Sequence, residues 1–338
     1  MSFKRFDQED IVISADSITA PAWSGDNVTL GTKYTKTNQK NGESGKYYYN
    51  IYDKDIDSGD TSAAIQFSIA YGHINGTGAI PLNAQVTGNS PSSIIYKQYR
   101  TLVNGTEEEN LKFNGTESNN IFVIAVERAR FKEKLLPGSL TLNLNNGNAL
   151  TLTDNSNYAT TTTFCDAGRV FQLISGSAGV KNTSVNDDGY TNGYGSYGMF
   201  LPDAGLIILS GLALEQATSV GGIAFNTSTS TTANSENLDR LYSAINGQSF
   251  QLRSEETVSS NYVFVRARNA EFNYSTNPSN ITGSGELRHS VMIDSPQAYV
   301  TAVGLYNDNN DLLAVAKLSR PLLKDFTKES LIRVKLDY

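Results

Sequence analysis

The sequence predicts an all-β protein, mainly antiparallel, with a few short helices and with tandem duplicated β-sandwich-like domains. Three observations predict this class. The aromatic residues are 18 Tyr and 14 Phe beside a single Trp, and Tyr and Phe suit a pleated sheet, as Thr and Val do. Clusters of Asn, Gly, Asp and Ser, which favour turns, separate short apolar or alternating runs. The same order of helix, stop signal and strand occurs twice along the chain.

The first 50 residues are expected to form an N-terminal arm rather than a domain. They hold little periodic apolar sequence, yet they contain Trp23 and three consecutive tyrosines at 47–49. A segment that buries too little apolar area to offset its ordering entropy becomes ordered where a partner supplies the surface. We therefore expect the arm to be mobile in the isolated protein and Trp23 to contact a neighbouring subunit.

A first β-rich domain is predicted over residues 51–180. Its helix spans residues 92–104, because Pro and Ser suit a helix start and Asn104-Gly105 suits a left-handed stop. Bounded apolar or alternating runs predict its strands, and a pair of Leu-Thr-Leu segments around an Asn-rich turn predicts a hairpin. These runs are residues 64–71, 120–131, 140–152 and 170–174.

A second β-rich domain is predicted over residues 181–338. Its helix follows Ser235 and ends at Asn246-Gly247, with the apolar residues on one face. A hairpin turns at residues 307–310, and a turn and short helix after Pro321 lead to an alternating final strand. The predicted strands are residues 206–214, 262–272, 299–305 and 331–336.

The two domains are predicted to be copies of one unit. Phe131 and Phe272 lie 141 positions apart, and Pro137 and Pro278 have the same offset. Each follows a helix, an Asn-Gly stop and a strand, an order that chance rarely repeats. We therefore expect strands 120–131 and 262–272 to occupy equivalent positions.

Two groups of residues are candidates for a protein interface. Two arginine pairs are expected to alternate on strands and so to share a sheet face. Such a face is usually simply exposed to solvent, and the alternative is an interface where Arg pairs with a partner's acids. Tyrosines in the glycine-rich loop 175–199 suit contacts because Tyr adds area at low entropy cost. With Trp23, the candidates are Arg128, Arg130, Arg266, Arg268, Tyr190, Tyr194 and Tyr197.

Composition argues against most enzymes and cofactor sites. The chain has one cysteine, Cys165, and two histidines, His73 and His289. An intrachain disulfide, a thiolate metal cluster and a multi-histidine metal site are therefore excluded, and few residues are available for a catalytic triad. No phosphate-binding loop or nucleophile elbow is present. We expect no catalytic residue, no cofactor and no metal site, although a converging pair of carboxylates is not excluded.

Charge and hydropathy limit the partners. The chain carries 27 basic and 34 acidic side chains, a net charge of −7, which argues against nucleic acid as the main partner. No apolar run reaches the length of a membrane span, and the polar first ten residues do not resemble a signal peptide. We expect a soluble protein made without secretion and without a membrane partner.

The acidic segment 53–60 imitates a calcium loop. Asp53, Asp55 and Asp57 alternate before Gly59, and oxygen ligands at alternate positions can surround one ion. The glycine comes one place late, however, and Ala64 occupies the position of the bidentate Glu. A solvated acidic turn is the favoured interpretation, and whether it binds a cation is left open.

Three segments carry a resemblance to a known class of protein. They are the run Arg266-Ala267-Arg268-Asn269-Ala270-Glu271-Phe272 continuing to Pro278, the closing segment 298–321, and the N-terminal Phe3-Lys4-Arg5-Phe6 with residues 13–19. They resemble virion structural proteins of T4-like contractile-tailed bacteriophages of the marine, cyanophage type. The resemblance covers about a third of the chain.

The resemblance implies a structural place in the phage particle and supplies no catalytic residues. The expected function is a part of the tail, at the baseplate wedge, acting through multivalent contacts with other tail proteins and with copies of itself. Such a protein is assembled in the host cytoplasm and resides in the virion. The alternatives are a neck or head protein, a receptor- or glycan-binding module at the tail tip, and a tail-borne glycan hydrolase.

Overall fold

The computed structural model describes residues 4–37, 47–79, 90–230 and 236–337. The fold is mostly antiparallel β, with 41% strand, 15% helix and, in the part described, four α-helices; its large sheets are curled. The predicted all-β class with few short helices is confirmed. The predicted tandem duplication is not confirmed.

Twenty strands follow one another along the described chain. They are β1 (Ile11–Pro21), β2 (Thr29–Leu30), β3 (Tyr48–Tyr52), β4 (Ile65–His73), β5 (Lys112–Phe113), β6 (Thr116–Glu117), β7 (Asn120–Val126), β8 (Lys134–Leu135), β9 (Thr141–Asn145), β10 (Ala149–Asp154), β11 (Thr163–Cys165), β12 (Gly168–Ser177), β13 (Val180–Lys181), β14 (Gly198–Leu201), β15 (Leu206–Ser210), β16 (Phe250–Gln251), β17 (Arg253–Ala267), β18 (Ala298–Tyr306), β19 (Leu312–Lys324) and β20 (Ser330–Asp337).

The four helices are α1 (Pro91–Asn104), α2 (Gly211–Glu215), α3 (Glu236–Ile245) and α4 (Val291–Asp294). Helix α1 has proline in its first turn and ends at Gly105, whose φ of 69° is the left-handed value that favours glycine. Helix α2 was not predicted: the hydroxyl of Ser210 accepts from the Ala213 N–H, and this cap ends the strand expected to reach residue 214. The predicted cap Ser235 lies outside the described residues.

The chain forms two compact units that differ from the predicted domains. The central unit is Ile18–Glu256, and the terminal unit combines Met1–Ser17 with Thr257–Tyr338. The expected boundaries at residues 50 and 180 both fall inside the central unit. The reason is hydrogen bonding: one sheet includes strands on both sides of each boundary, from β2 and β3 to β16.

A twelve-stranded sheet organises the central unit. Its main order is β2-β16-β9-β10-β12-β14-β15-β7-β4-β3, and β11 and β13 both pair with β12. Strand β7 is buried on both faces: Phe122 and Ile124 belong to the larger core, whereas Ile121 and Val123 belong to a second core. This explains why residues 121–124 form a continuous apolar run instead of an alternating one.

Helices α1 and α3 pack against opposite faces of this sheet. Tyr96 of α1 lies in the second core, while Leu238, Leu241 and Ile245 of α3 lie in the larger one. Both helices therefore belong to the central unit, whereas the duplication predicted one in each domain. Strands 120–131 and 262–272 are likewise not equivalent, since β7 lies inside the twelve-stranded sheet and β17 belongs to another sheet.

The terminal unit is a thin two-layer structure. From Ser260 to Ala267, β17 pairs antiparallel with β20, and β18 pairs with β19 as a separate hairpin. The two layers meet around Val263, Leu305 and Val334, with further apolar residues partly buried around them. Strand β19 continues through Pro321 to Lys324, and a turn at residues 326–327 leads to β20. The short helix predicted there is wrong, whereas a turn is present.

Candidate protein interface

Trp23 lies in the core of the central unit. Its side chain is 3% exposed, and its ring centroid lies 4.8 Å from that of Phe250 and 5.8 Å from that of Phe67. The indole Nε1 donates to the Phe250 carbonyl oxygen at 2.8 Å, so its polar atom is satisfied inside. The expectation that Trp23 anchors a mobile arm is therefore corrected, because the chain itself supplies its aromatic partners.

The tyrosines of the 175–199 loop are likewise held by the chain. Tyr197 is fully buried, and its hydroxyl donates to the Gly221 carbonyl oxygen at 2.8 Å. Tyr190 is half-buried, with its hydroxyl 3.3 Å from Asn155 Nδ2, and Tyr194 is half-buried. Gly195 lies close to the Phe113 backbone, and the neighbouring Ser196 N–H donates to the Phe113 carbonyl oxygen. Because Tyr197 is fully buried and hydrogen-bonded, it is a core residue and is not available to a partner.

Replacement of Tyr197 by phenylalanine is expected to cost about 1 kcal/mol of unfolding free energy at pH 7, the usual value of one buried hydrogen bond. Burial raises the pKa of Tyr197 to about 12. The hydroxyl thus loses its proton more easily in the unfolded chain, and its contribution to stability is lost as the pH rises from about 10 to 12. The wild-type protein should therefore lose more stability over that range than Tyr197→Phe does.

Chemical denaturation at pH 7 and across this alkaline range measures the difference. Tyr48→Phe, at an exposed tyrosine of the same unit, is the matched control and should follow the wild type. Equal alkaline losses in wild type and Tyr197→Phe would contradict the buried placement.

Arg128 and Arg130 do not alternate on a strand. Strand β7 ends at Val126, and residues Arg128–Arg130 form a short 3₁₀ helix. Arg128 donates to the Phe131 carbonyl oxygen at 2.6 Å and lies 4.5 Å from the centre of the Phe131 ring. Arg130 donates to the Ser24 hydroxyl. The Arg128 guanidinium group thus holds the turn that follows it, and the Arg130 guanidinium group contacts a residue distant in sequence.

Arg266 and Arg268 are exposed, and unlike the exposed Arg128 their guanidinium groups are not used in contacts within the described chain. Arg266 is near the end of β17 and Arg268 follows it. Two hydrogen bonds hold the backbone at these residues. Lys4 Nζ donates to the Arg266 carbonyl oxygen at 2.6 Å, and the Arg268 N–H donates to Glu271 Oε2 at 2.8 Å. Among the described residues, neither guanidinium group has a hydrogen-bond or ion-pair partner, so both are available to an outside acid.

Exposed apolar side chains are concentrated in the same terminal unit. It holds fewer than a third of the residues, yet it contributes thirteen of the twenty large apolar side chains that are exposed in the described chain. Soluble monomers rarely expose many such groups together. They are Phe6, Ile11, Val12, Ile13, Tyr274, Val291, Ile293, Tyr299, Leu312, Leu313, Val315, Phe326 and Leu331.

The outer side of the β18–β19 hairpin shows how these residues are presented. Val315 pairs with Gly304 and is 60% exposed, whereas its neighbour Ala314 faces the core. The Tyr306 ring covers Gly304, where an added Cβ would lie 2.9 Å from the ring. The absence of a side chain at Gly304 therefore leaves room for the Tyr306 ring. The result is an apolar surface on a strand whose other side is packed.

The outer side of β17–β20 combines aromatic and basic groups. Tyr262 pairs with Lys335 across the strands, and Arg333 and Lys335 lie 5.4 and 5.8 Å from the centre of its ring. Hydrogen bonds from Ser260 and Lys335 lower the pKa of Asp337, while Asp337 raises the pKa of Lys335. This face remains charged at neutral pH.

The central unit has a second apolar surface, a groove of about 430 Å³ between α1 and the sheet. Tyr48, Ile94 and Tyr99 line it together with residues of β4 and β7. Tyr48 and Ile94 are about half exposed. No sequence signal marked this groove, because it joins residues far apart in the chain.

The acidic turn uses its carboxylates within the chain. Asp53 Oδ1 accepts from the Ala64 N–H, Asp55 from Asp57, and Asp57 from Thr37. His73 is half-buried, its Nδ1 accepts from the Asn75 N–H, and burial lowers its pKa. The described residues contain no group of three His, Cys, Asp or Glu side chains arranged to hold a metal ion.

In the described part of the chain, no helix combines the length and apolar character needed to cross a membrane. Comparisons with protein-family models, with curated proteins and with solved structures find no match.

Proposed function

We propose that the protein is a structural component of a contractile-tailed bacteriophage particle, placed in the tail at the baseplate wedge. The observation that carries the proposal is the concentration of exposed apolar side chains on the terminal unit. Three residues form its buried core, while thirteen large apolar residues are exposed. A unit of this kind gains stability when a neighbouring protein covers it.

Multivalent contact requires more than one surface, and the chain offers several. The hairpin, the Tyr262 face and the unpaired Arg266 and Arg268 lie on the terminal unit, and the apolar groove lies on the central unit. Arginine and aromatic residues are enriched in interface cores. Neighbouring tail proteins and further copies of this chain are the proposed partners, with neck or head proteins as the alternative location.

Resemblance supports the phage assignment independently of these surfaces. Two of the segments that carry the resemblance, 266–278 and 298–321, lie in the terminal unit and include parts of β17, β18 and β19. The proposed contact surface and the phage-like sequence therefore coincide.

Replacement of Val315 by aspartate is expected to reduce incorporation of the protein into particles by about tenfold or more, because a buried unpaired carboxylate disrupts an apolar contact. Particles lacking the endogenous protein are complemented with the variant, purified and analysed by mass spectrometry. Val180→Asp introduces the same change at an equally exposed valine of the central unit, 62% against 60% exposed, and should be incorporated normally.

Circular dichroism of both purified variants checks that they fold. Absence of the wild-type protein from purified particles would refute the proposed function. Equal incorporation of the two variants would instead refute the role of the hairpin surface.

A further inference from the structure

We propose that the terminal unit binds a neutral saccharide in a cavity of mixed polar and apolar lining, formed by the segment between β17 and β18 and by the start of β18. The cavity has a volume of about 430 Å³, within the range of small-molecule sites. The cavity involves neither Val315 on the hairpin nor Arg266 and Arg268, although two of its lining residues, Val291 and Tyr299, are among the thirteen exposed apolar residues.

The segment that forms the cavity is fixed to the terminal unit by a buried lysine. Lys324, at the end of β19, is fully buried. Its Nζ donates to the Asn269 carbonyl oxygen at 3.1 Å, to Asn273 Oδ1 at 2.7 Å and to the Asp325 carbonyl oxygen at 2.8 Å. Asn273 Nδ2 in turn donates to the Asn269 carbonyl oxygen at 2.7 Å. The start of the segment is thereby held in place, which reduces the entropy that a ligand must offset.

In each of three amide side chains that line the cavity, either the oxygen or the nitrogen is hydrogen-bonded within the chain, and the other atom is available to a ligand. Asn277 Oδ1 accepts from the Ser279 N–H at 3.2 Å, which leaves its amide nitrogen to donate. Asn280 Nδ2 donates to the Ser275 carbonyl oxygen at 3.1 Å, and Gln297 Nε2 donates to the Ser295 hydroxyl at 3.3 Å. The amide oxygens of these two residues can therefore accept. Donors and acceptors together match sugar hydroxyl groups, which need both.

The rest of the lining selects the class of ligand. None of the residues that line the cavity carries a charged side chain, so a phosphate, a carboxylate or an ammonium group would lose its hydration without gaining a countercharge. Tyr299 lies at the cavity and is 66% exposed. Its ring offers an apolar face to the C–H side of a sugar ring while the hydroxyls meet the amides. These properties together fit a neutral saccharide.

Binding is tested with the full-length protein and a panel of neutral hexose and N-acetylhexosamine disaccharides, observed by saturation-transfer NMR and titrated by calorimetry. We expect the wild type to bind at least one of them in the millimolar range or better. Tyr299→Ala should weaken that binding by about tenfold or more, as for loss of an aromatic anchor. Tyr274→Ala removes a similarly exposed tyrosine, 59% exposed, that does not line the cavity, and should bind as the wild type does.

Gln297→Ala, at a second lining residue, should also weaken binding and guards against a local effect of the tyrosine change. Absence of binding across the panel, or affinity unchanged in both cavity variants, would overturn the proposal. So would equally tight binding of a sulfated disaccharide, since the cavity has no countercharge. Incorporation of Gln297→Ala into particles should remain normal, because Gln297 is not one of the exposed apolar residues that carry the structural role. This separates failure of the saccharide site from failure of the structural role.

Discussion

Replacement of Trp23 by alanine is expected to lower the free energy of unfolding of the central unit by about 3–5 kcal/mol, the range for removal of a large buried aromatic side chain. Three contributions are lost together. Removal of the indole ring leaves a cavity beside Phe67 and Phe250. The favourable burial of its apolar surface on folding is lost. The Phe250 carbonyl oxygen also loses the donor that lies 2.8 Å from it.

Differential scanning calorimetry measures the loss, because it does not depend on the tryptophan that the variant lacks. Phe164→Ala, at an exposed aromatic residue of the same unit, is the control and should change stability little. In the wild type, Trp23 is the single tryptophan, so fluorescence should report a buried indole that becomes exposed on unfolding. If the Trp23→Ala variant had wild-type stability but impaired particle assembly, the result would contradict the core placement and support a contact of Trp23 with a neighbouring subunit.

Replacement of Lys33 by methionine is expected to destabilise the central unit by about 3 kcal/mol, since several buried carbonyl groups lose their donor at once. Lys33 is 1% exposed. Its Nζ donates to the carbonyl oxygens of Gly31, Ile245 and Gln248 at 2.8, 2.8 and 2.6 Å, and to that of Leu30 at 3.2 Å. The ammonium group thus joins the end of α3 to the segment after β2.

The pH dependence gives a second readout of Lys33. Burial lowers its pKa from the ordinary 10.5 to about 8, so at pH 7 the amine is still protonated. Between about pH 8 and 10.5 the unfolded chain holds this proton more tightly than the folded chain, and the contribution of Lys33 to stability therefore rises with pH in that window. The methionine variant should lack this rise.

Denaturant titrations of wild type and Lys33→Met at pH 7 and 9.5 isolate the effect. Lys97→Met, at an exposed position of α1, provides the same chemical change without burial and should leave stability nearly unchanged. If Lys33→Met were as stable as the wild type, the carbonyl groups would have found other partners and the buried lysine would have no structural role.

The two variants also bear on how the proposed particle protein is built. Trp23 and Lys33 are buried and stabilise the central unit. The terminal unit has a small core, in which three apolar residues are buried. Destabilising changes in the central unit should therefore lower the amount of folded protein. Changes on the outer side of the hairpin should spare folding and reduce assembly.

Local sequence was sufficient for elements whose signals lie within one segment. Helix α1 begins and ends almost where Pro91 and Gly105 place it, because a proline in the first turn and a left-handed glycine act on neighbouring backbone groups. The hairpin of β9 and β10 turns at the Asn-rich segment that predicted it. The all-β class followed from the same local patterns.

The repeat shows where local patterns mislead. A Phe and a Pro follow β7 and β17 at the same spacing, yet β7 is buried between two cores and β17 belongs to a different sheet. Spacing records which residues are near each other in the chain, whereas the partner of a strand depends on backbone hydrogen bonds to distant segments. The Ser210 cap similarly ended β15 early, so that α2 replaces the last residues of the expected strand.

By itself, the sequence determined the all-β class and the positions of α1 and α3, since these depend on composition and on contacts within a few residues. Only the tertiary structure decided which aromatics are core and which are surface. Trp23 and Tyr197 are buried, and Phe250 and Gly221, distant in sequence, supply their hydrogen-bond acceptors. Val315 is exposed because it lies on the side of the hairpin opposite to the core of the terminal unit. Burial is a property of the surroundings of a side chain, and those surroundings are assembled from segments whose pairing no local pattern encodes.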